Sequence, residues 1–318
     1  MENEKYLLIE IAVMYYLEGK TQNQIAKELY ISRPKVSRML KKAKELGVVD
    51  ISINYDCDTL KLLQSEIKEK FDINNVVVVK SLSNYKDTVN EIGKAAAKVL
   101  IKEVRDDMTI GISWGNAVRS TVSRLKKQEF RGIKVVELFG AVSYDLQNML
   151  SIGRTLTTKL NGKLYPLPAP IYINNDIARD AVINTPVIKN TLEMIDNCDL
   201  VLSGLGTVDE SILQTVWDEY VEDDIKTKIK ENGGVGFLCA HFFDQNGKFL
   251  DMDINKNIIG IRSEKIKNNK NIIVAGGKKK VKSILGALNG GYIDTLISDE
   301  DTLNAVLELS NKLKKNNK

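Results

Sequence analysis

Thr21-Gln22-Asn23-Gln24-Ile25-Ala26-Lys27-Glu28-Leu29-Tyr30-Ile31-Ser32-Arg33-Pro34-Lys35-Val36-Ser37-Arg38 holds two helix starts separated by one short turn. Thr21 can accept a backbone N–H and cap a helix over 22–29, whose Ile25, Ala26 and Leu29 face inward. Ser32 can cap the next helix, with Pro34 in a first turn that has no use for its missing N–H. That helix is expected to run to about residue 46, burying Val36, Met39, Leu40, Ala43 and Leu46, and Gly47 ends it. Tyr30 stands in the turn, where a left-handed backbone costs a residue with a Cβ about 1 kcal/mol. Between Arg33 and Lys44 lie Arg33, Lys35, Arg38, Lys41, Lys42 and Lys44 and no acid. Two short helices joined by a tight turn, the second basic, form a helix-turn-helix pattern. Ser32, Arg33, Pro34, Lys35 and Ser37 occupy the first turns, which can enter a major groove. Arg38 and Lys41 suit backbone phosphates, and Gln22, at the start of the preceding helix, completes the candidate DNA-binding set.

Working outward, residues 5–18 read as a helix with Leu8, Ile9, Ala12, Val13, Tyr16 and Leu17 as its buried stripe. Residues 48–53 alternate enough to predict a strand, the wing of a winged helix-turn-helix domain over 1–54. A linker helix with Leu60, Leu63 and Ile67 at helical spacing fills 55–71. From 72 the pattern changes. Short β-branched runs at 76–79, 109–112, 134–138, 200–203, 234–238, 272–275 and 295–297 alternate with helical stretches at 87–103, 115–126, 186–197 and 278–289. Strands alternating with helices predict parallel βαβ units in an open α/β sheet over 72–318. The Lys/Asn-rich tail, 311–318, is expected to fray.

The 318 residues suit one small and one large domain. No stretch approaches the roughly 20 apolar residues of a membrane span. The start, Met1-Glu2-Asn3-Glu4-Lys5, lacks a secretory pattern, so a cytoplasmic protein is expected. Cys57, Cys198 and Cys239 form neither a disulfide framework nor a metal cluster, and His241 is the sole histidine. Neither a resident metal nor a cofactor is expected. The net charge of +4 is too mild to argue for nucleic acid; the basic helix carries that argument.

Three segments of the larger part share one arrangement of strand, glycines and helix start. They are Ile110-Gly111-Ile112-Ser113-Trp114-Gly115-Asn116, Leu202-Ser203-Gly204-Leu205-Gly206-Thr207, and Val274-Ala275-Gly276-Gly277-Lys278-Lys279-Lys280. Glycine lets a backbone approach an anion, and N–H groups at a helix start supply donors. In a parallel sheet all three turns fall at the carboxyl ends of strands, where such proteins bind ligands. The spacings match no phosphate loop or dinucleotide fingerprint, so a phosphorylated small molecule is the ligand class expected. Asp244, in Asp244-Gln245-Asn246-Gly247, can accept a sugar hydroxyl or serve its own turn. His241 reads as a packing residue.

The chain resembles the SorC-type sugar-responsive transcriptional regulators, including the deoxyribonucleoside regulator branch of bacilli, over nearly its whole length. The resemblance rests on Gln24-Ile25-Ala26, Leu29 and Ser32 to Arg38, on Gly111 to Gly115, and on Leu164-Tyr165-Pro166-Leu167-Pro168-Ala169-Pro170. Ser203 to Gly206, Phe242-Phe243-Asp244 with Gly247, and Ala275-Gly276-Gly277 with Lys280 complete it. It implies a larger domain with the fold of sugar-phosphate isomerases, acting as an effector sensor rather than an enzyme, in a homodimer or homotetramer bound to operator DNA. It also implies that Ser113, Gly115, Asn116, Gly204, Gly206 and Lys280 hold the phosphate and Asp244 the sugar. Gly111, Trp114, Leu205, Thr207, Gly276 and Gly277 complete the implied effector set. Two positions depart from the family pattern: Phe237 where an acid is common, and His241 where an arginine is common. A repressor of a sugar-catabolism operon is thus the leading expectation. An isomerase or deaminase with an appended DNA-binding domain and a regulator without ligand are the alternatives.

Overall fold

The computed structural model describes residues 2–49, 51, 58–141, 146–208 and 223–316. Within them the chain divides into two compact units, Met1–Asn54 and Tyr55–Lys318. In the first, α1 (Glu2–Tyr16), α2 (Gln22–Glu28) and α3 (Arg33–Glu45) pack around Ile11, Ile25, Val36 and Ala43, all fully buried. Thr21 Oγ1 accepts the Gln24 N–H at 3.3 Å while Gln24 Oε1 accepts the Thr21 N–H at 2.8 Å, closing a capping box. Ser32 Oγ accepts the Lys35 N–H at 3.4 Å.

Tyr30 adopts φ 52° and is 96% exposed, so its ring offsets none of the backbone strain. Tyr30→Gly should stabilise this unit by about 1 kcal/mol, slowing hydrogen exchange of the α2 and α3 amides roughly five-fold. Unchanged exchange would show that the left-handed turn stores no strain.

The first unit differs from expectation in three places. Leu8 and Ala12 of the expected α1 stripe are buried, together with Ile11 and Met14, but Ile9, Val13 and Leu17 are exposed. Leu46 follows α3 as its C-cap and is exposed, because the helix ends one residue too soon to turn it inward. Val48 and Val49 form a bend hydrogen-bonded back to the Ala43 carbonyl and Ile51 is in no strand. The remaining residues of the expected wing, Asp50, Ser52 and Ile53, lie outside the described ones.

In the second unit α4 (Asp58–Phe71) buries Leu60, Leu63 and Ile67 against the sheet's first strand. Then follow β1 (Asn75–Val79), α5 (Tyr85–Glu103), β2 (Thr109–Ile112), α6 (Asn116–Ser123), β3 (Lys134–Glu137), α7 (Leu146–Leu160) and β4 (Lys163–Tyr165). Next come α8 (Asp176–Ile183), α9 (Pro186–Asp196), β5 (Leu200–Ser203), β6 (Gly206–Thr207), α10 (Asp223–Glu231), β7 (Gly234–Leu238) and β8 (His241–Asp244). The chain closes with α11 (Asp253–Lys256), α12 (Ser263–Ile266), β9 (Lys270–Val274), a 3₁₀ turn (Lys278–Lys280), α13 (Val281–Asn289), β10 (Thr295–Asp299) and α14 (Glu300–Asn316). The tail expected to fray is helical to Asn316: Leu313 packs on the core and Asn311 Oδ1 accepts from Lys70 Nζ at 2.5 Å.

Seven strands form one parallel sheet in the order β1-β10-β9-β5-β2-β3-β4. Both faces are covered, so central strands such as Leu200–Ser203 are apolar without alternation. Ile110, Ile112, Leu200 and Leu202 pack with α5, α6 and α7 on one face. Val201, Ile273 and Leu296 pack with Ile195 of α9, Leu285 of α13 and Leu303 of α14 on the other. A small antiparallel sheet, β6-β7-β8, adjoins the sheet's carboxyl edge after β5. From β2 the chain proceeds to β3 and β4 on one side, whereas β5, β9 and β10 lie on the other. The order reverses between β2 and β5, the place where an open α/β sheet leaves a crevice at its carboxyl edge.

Candidate functional site

The recognition-helix candidates share one surface. Ser32, Arg33, Pro34, Lys35, Ser37, Arg38 and Lys41 are all exposed, while the intervening Val36, Met39 and Leu40 are buried. Gln22 is half-buried at the start of α2. The cap at Ser32 fixes where α3 begins and leaves Arg33 and Lys35 in its first turn, beside the positive end of the helix dipole.

In the second unit the turns after β2 and β5 meet at the reversal point. Ser113 is buried, its Oγ accepting the Gly204 N–H at 3.2 Å and lying 3.0 Å from the Ser203 hydroxyl. Gly111 packs under Leu138 and Cys198, where a Cβ would come within 2.5 Å of Leu138. Gly115, at φ 142°, starts α6 with open space where a Cβ would stand, and Asn116 beside it is exposed. A Cβ at Gly204 would stand 3.7 Å from Val118 of α6, an ordinary contact, so the side chain itself is not what the position excludes. Gly206 lies flat against the Phe237 ring, which a Cβ would strike at 2.0 Å, and Thr207 is buried in β6.

Lys280 joins this cluster from the far side of β5. Lys278, Lys279 and Lys282 are exposed, but Lys280 turns inward and its Nζ donates to the Leu205 carbonyl at 2.5 Å. Burial lowers its pKa to about 8, because a desolvated ammonium is disfavoured. Among the described residues no carboxylate lies within ion-pairing distance of it. A positive charge held by a carbonyl, beside glycine turns and a helix start, is an arrangement that an anion completes.

Two expected members are placed otherwise. Asp244 Oδ1 accepts the Asn246 and Lys248 N–H groups, both at 2.9 Å. Its turn sits on the Gly286–Asn289 end of α13, where Asn289 Nδ2 donates to the Gln245 carbonyl. Asp244 therefore serves its own turn, two helical turns along α13 from Lys280. The third glycine turn also differs: the Gly277 N–H donates to Thr302 Oγ1 at 2.7 Å and to Asp299 Oδ1 at 3.2 Å. Tyr85 holds the Gly276 carbonyl at 2.9 Å. Gly276 and Gly277 thus shape the approach of Lys280, and the Gly277 N–H is not turned toward a ligand.

Sequence reasoning missed Glu137 and Phe139. They line, with Ser113, Trp114, Ile152 and Gly153, a small open hollow at the carboxyl end of β3, with room for about one water. Burial raises the Glu137 carboxyl above its usual range, against a hydrogen bond from the Leu167 N–H and the Arg154 charge. Trp114 packs edge-on to Phe139 at 6.0 Å, and its Nε1 has no partner among the described residues. The signal available for Glu137 was an acid at the carboxyl end of an otherwise apolar strand. His241 is fully enclosed: Nε2 lies 2.8 Å from the Ile261 carbonyl, and burial lowers its pKa, so it is neutral. No group of three His, Cys, Asp or Glu among the described residues could hold a metal, and no described helix is long and apolar enough to cross a membrane.

Comparison with known proteins bears on the fold and the family. A family profile described as "Putative sugar-binding domain" matches residues 56–308. The deoxyribonucleoside regulator of Bacillus subtilis (strain 168) is 32% identical over 316 residues, covering 96% of this chain and 99% of its own. The sorbitol operon regulator of Klebsiella pneumoniae is 30% identical over 311 residues, covering 95% and 98%. The crystal structure of that full-length regulator superposes with a TM-score of 0.75 at 28% identity, covering 95% of this chain and 98% of its own. A capped helix-turn-helix unit, a parallel sheet with glycine turns at its carboxyl edge and these full-length matches lead to one conclusion: the chain belongs to the SorC-type family of transcriptional regulators with a sugar-binding domain.

Proposed function

We propose that this regulator represses a sugar-catabolism operon and that a phosphorylated sugar, bound at the reversal point of the large sheet, changes its hold on operator DNA. Residues 1–54 are the DNA-binding domain, 55–71 the linker helix and 72–318 the effector-binding and oligomerisation domain of a cytoplasmic homodimer or homotetramer. The observation that carries the reading is the inward Lys280, whose Nζ donates, among the described residues, to the Leu205 carbonyl beside Ser113 and the Gly204 turn. The phosphate sits against Lys280, Gly115, Asn116, Gly204 and Gly206. The sugar lies between the Phe237 ring, which covers Gly206, and the open hollow beside Trp114 and Glu137. The domain senses rather than catalyses: the sole histidine, the commonest proton carrier, is sealed against Ile261 and Phe249.

A thermal-shift screen of phosphorylated sugars, with the free sugars as controls, tests this. A ligand at 100 times its dissociation constant adds about 2.7 kcal/mol to the native state. One sugar phosphate should raise the melting temperature and its free sugar should not. A shift with free sugars alone would remove the phosphate from the reading, and turnover of the ligand would replace the sensor by an enzyme.

A further inference from the structure

The peptide between Gly276 and Gly277 is held at both ends by side chains of other elements. Its carbonyl accepts the hydroxyl of Tyr85, the first residue of α5, at 2.9 Å. Its N–H donates to Thr302 Oγ1 and Asp299 Oδ1, which lie at the start of α14. The Thr302 hydroxyl in turn donates to Asp299 Oδ1 at 2.7 Å. The space around the peptide is closed as well. A Cβ at Gly276 would stand 2.4 Å from Asp299 Oδ1, and one at Gly277 would stand 2.7 Å from the Tyr85 ring. Gly277 is at φ 96°, a backbone that a residue with a Cβ rarely adopts. A peptide flanked by two glycines turns over with little steric resistance, so these partners set its orientation.

Asp299 does more than begin a helix. A cap needs only the Thr302 N–H, which Asp299 Oδ2 accepts at 3.2 Å. The same oxygen accepts the Ser81 hydroxyl at 3.0 Å, and Ser81 Oγ accepts the Asp301 N–H at 2.9 Å. The carboxylate is 3% exposed and has no cationic partner among the described residues, so hydrogen bonds alone satisfy it. On the other side, the Gly277 carbonyl accepts the Lys280 N–H at 2.9 Å. That bond closes the 3₁₀ turn from which Lys280 Nζ reaches the Leu205 carbonyl. Rotating the Gly276–Gly277 peptide changes φ at Gly277 and moves the start of this turn. We propose that Tyr85 and Asp299 are positioning residues for the effector: together they lock the Gly276–Gly277 peptide so that the turn after it holds Lys280 inward. The proposal deepens the sugar-phosphate reading and rests on it for the ligand, whereas the lock belongs to the ligand-free chain.

Trace acetylation of the ligand-free full chain across pH, with Lys280 followed by mass spectrometry, reads the lock. In the parent Lys280 titrates at about 8, because burial disfavours its ammonium. Tyr85→Phe and Asp299→Asn should each raise that midpoint by about one unit or more toward the ordinary lysine value. The exposed Lys278 and Lys282 serve as references that do not move. Thr302→Ser keeps the hydroxyl and should leave the Lys280 midpoint at the parent value. A loss of global stability alone would not move this profile, since it is read on folded protein. Inorganic phosphate, titrated at pH 7 and constant ionic strength, should bind the first two variants about five-fold or more weakly than the parent. Asp299→Asn removes a buried acceptor and can abolish folding. Tyr85→Phe removes one hydroxyl from a side chain 54% exposed, so it decides the matter where the other variant does not fold. An unchanged Lys280 midpoint in folded Tyr85→Phe would overturn the lock. A raised midpoint with parental phosphate affinity would keep the lock and take Lys280 out of the phosphate site. Absence of phosphate binding by the parent would remove the phosphate reading and leave the acetylation result to decide the lock, so the two can fail independently.

Discussion

Lys280→Met should cut the stabilisation that a sugar phosphate gives by about half or more, while the ligand-free protein melts no lower than the parent. A charge-assisted hydrogen bond to phosphate contributes about 1.5–3 kcal/mol, so affinity should fall roughly ten- to 150-fold. The ligand-free fold loses only a desolvated ammonium held by the Leu205 carbonyl, a group that burial already disfavours. The pH dependence follows from the same group. In the free protein Lys280 has a pKa of about 8, and a phosphate beside it raises that value. Binding is then coupled to proton uptake. Affinity is full below pH 8, where the ammonium is charged, and falls by up to about tenfold per pH unit above 8 until the bound-state pKa is passed. The phosphate, with a second pKa of about 6, is already doubly charged from pH 7 and does not counter this. Calorimetry at pH 7 and pH 9 measures it, with Lys280→Met showing no slope. An equal slope in the variant would place the titration elsewhere and take Lys280 out of the site.

Arg33→Ala and Lys41→Ala should both weaken DNA binding, but differently. Arg33 is exposed in the first turn of α3 and is proposed to reach a base edge. Its loss should cost about 1–3 kcal/mol and relax preference at one base position. Lys41, two turns further along and exposed, is proposed to contact a phosphate. Its loss should weaken all sequences alike and flatten the dependence of log affinity on log salt by about 0.9. Both side chains are exposed and neither joins the Ser32 cap, so the unit should fold unchanged. Titrations on cognate and scrambled duplexes at two or more salt concentrations separate the cases. Equal losses and slopes for the two variants would remove base readout from Arg33.

Much of this was legible because it is local. A cap needs only residues three apart, so Thr21 and Ser32 announce α2 and α3, and the basic run between Arg33 and Lys44 is a property of one helix. The apolar strands of a sheet covered on both faces read as unbroken β-branched runs. The α1 stripe was misjudged for the converse reason: a helix apolar nearly all round does not say which side its own domain covers. Val48-Val49 read as strand, but backbone bonds to Ala43 hold them in a bend.

From the sequence alone came the two-part organisation, the helix-turn-helix, the parallel sheet and the glycine turns at its carboxyl edge. Each follows from spacing within a short window, where propensity and periodicity act. The tertiary structure alone decided which lysine of Lys278-Lys279-Lys280 turns inward and that the Gly277 N–H goes to Asp299 and Thr302. It also decided that Asp244 serves its own turn and that Glu137 and Trp114 share a cavity with Ser113. Those outcomes depend on burial and on partners far apart in the chain, and the energies that set them exist only once the strands have been brought side by side.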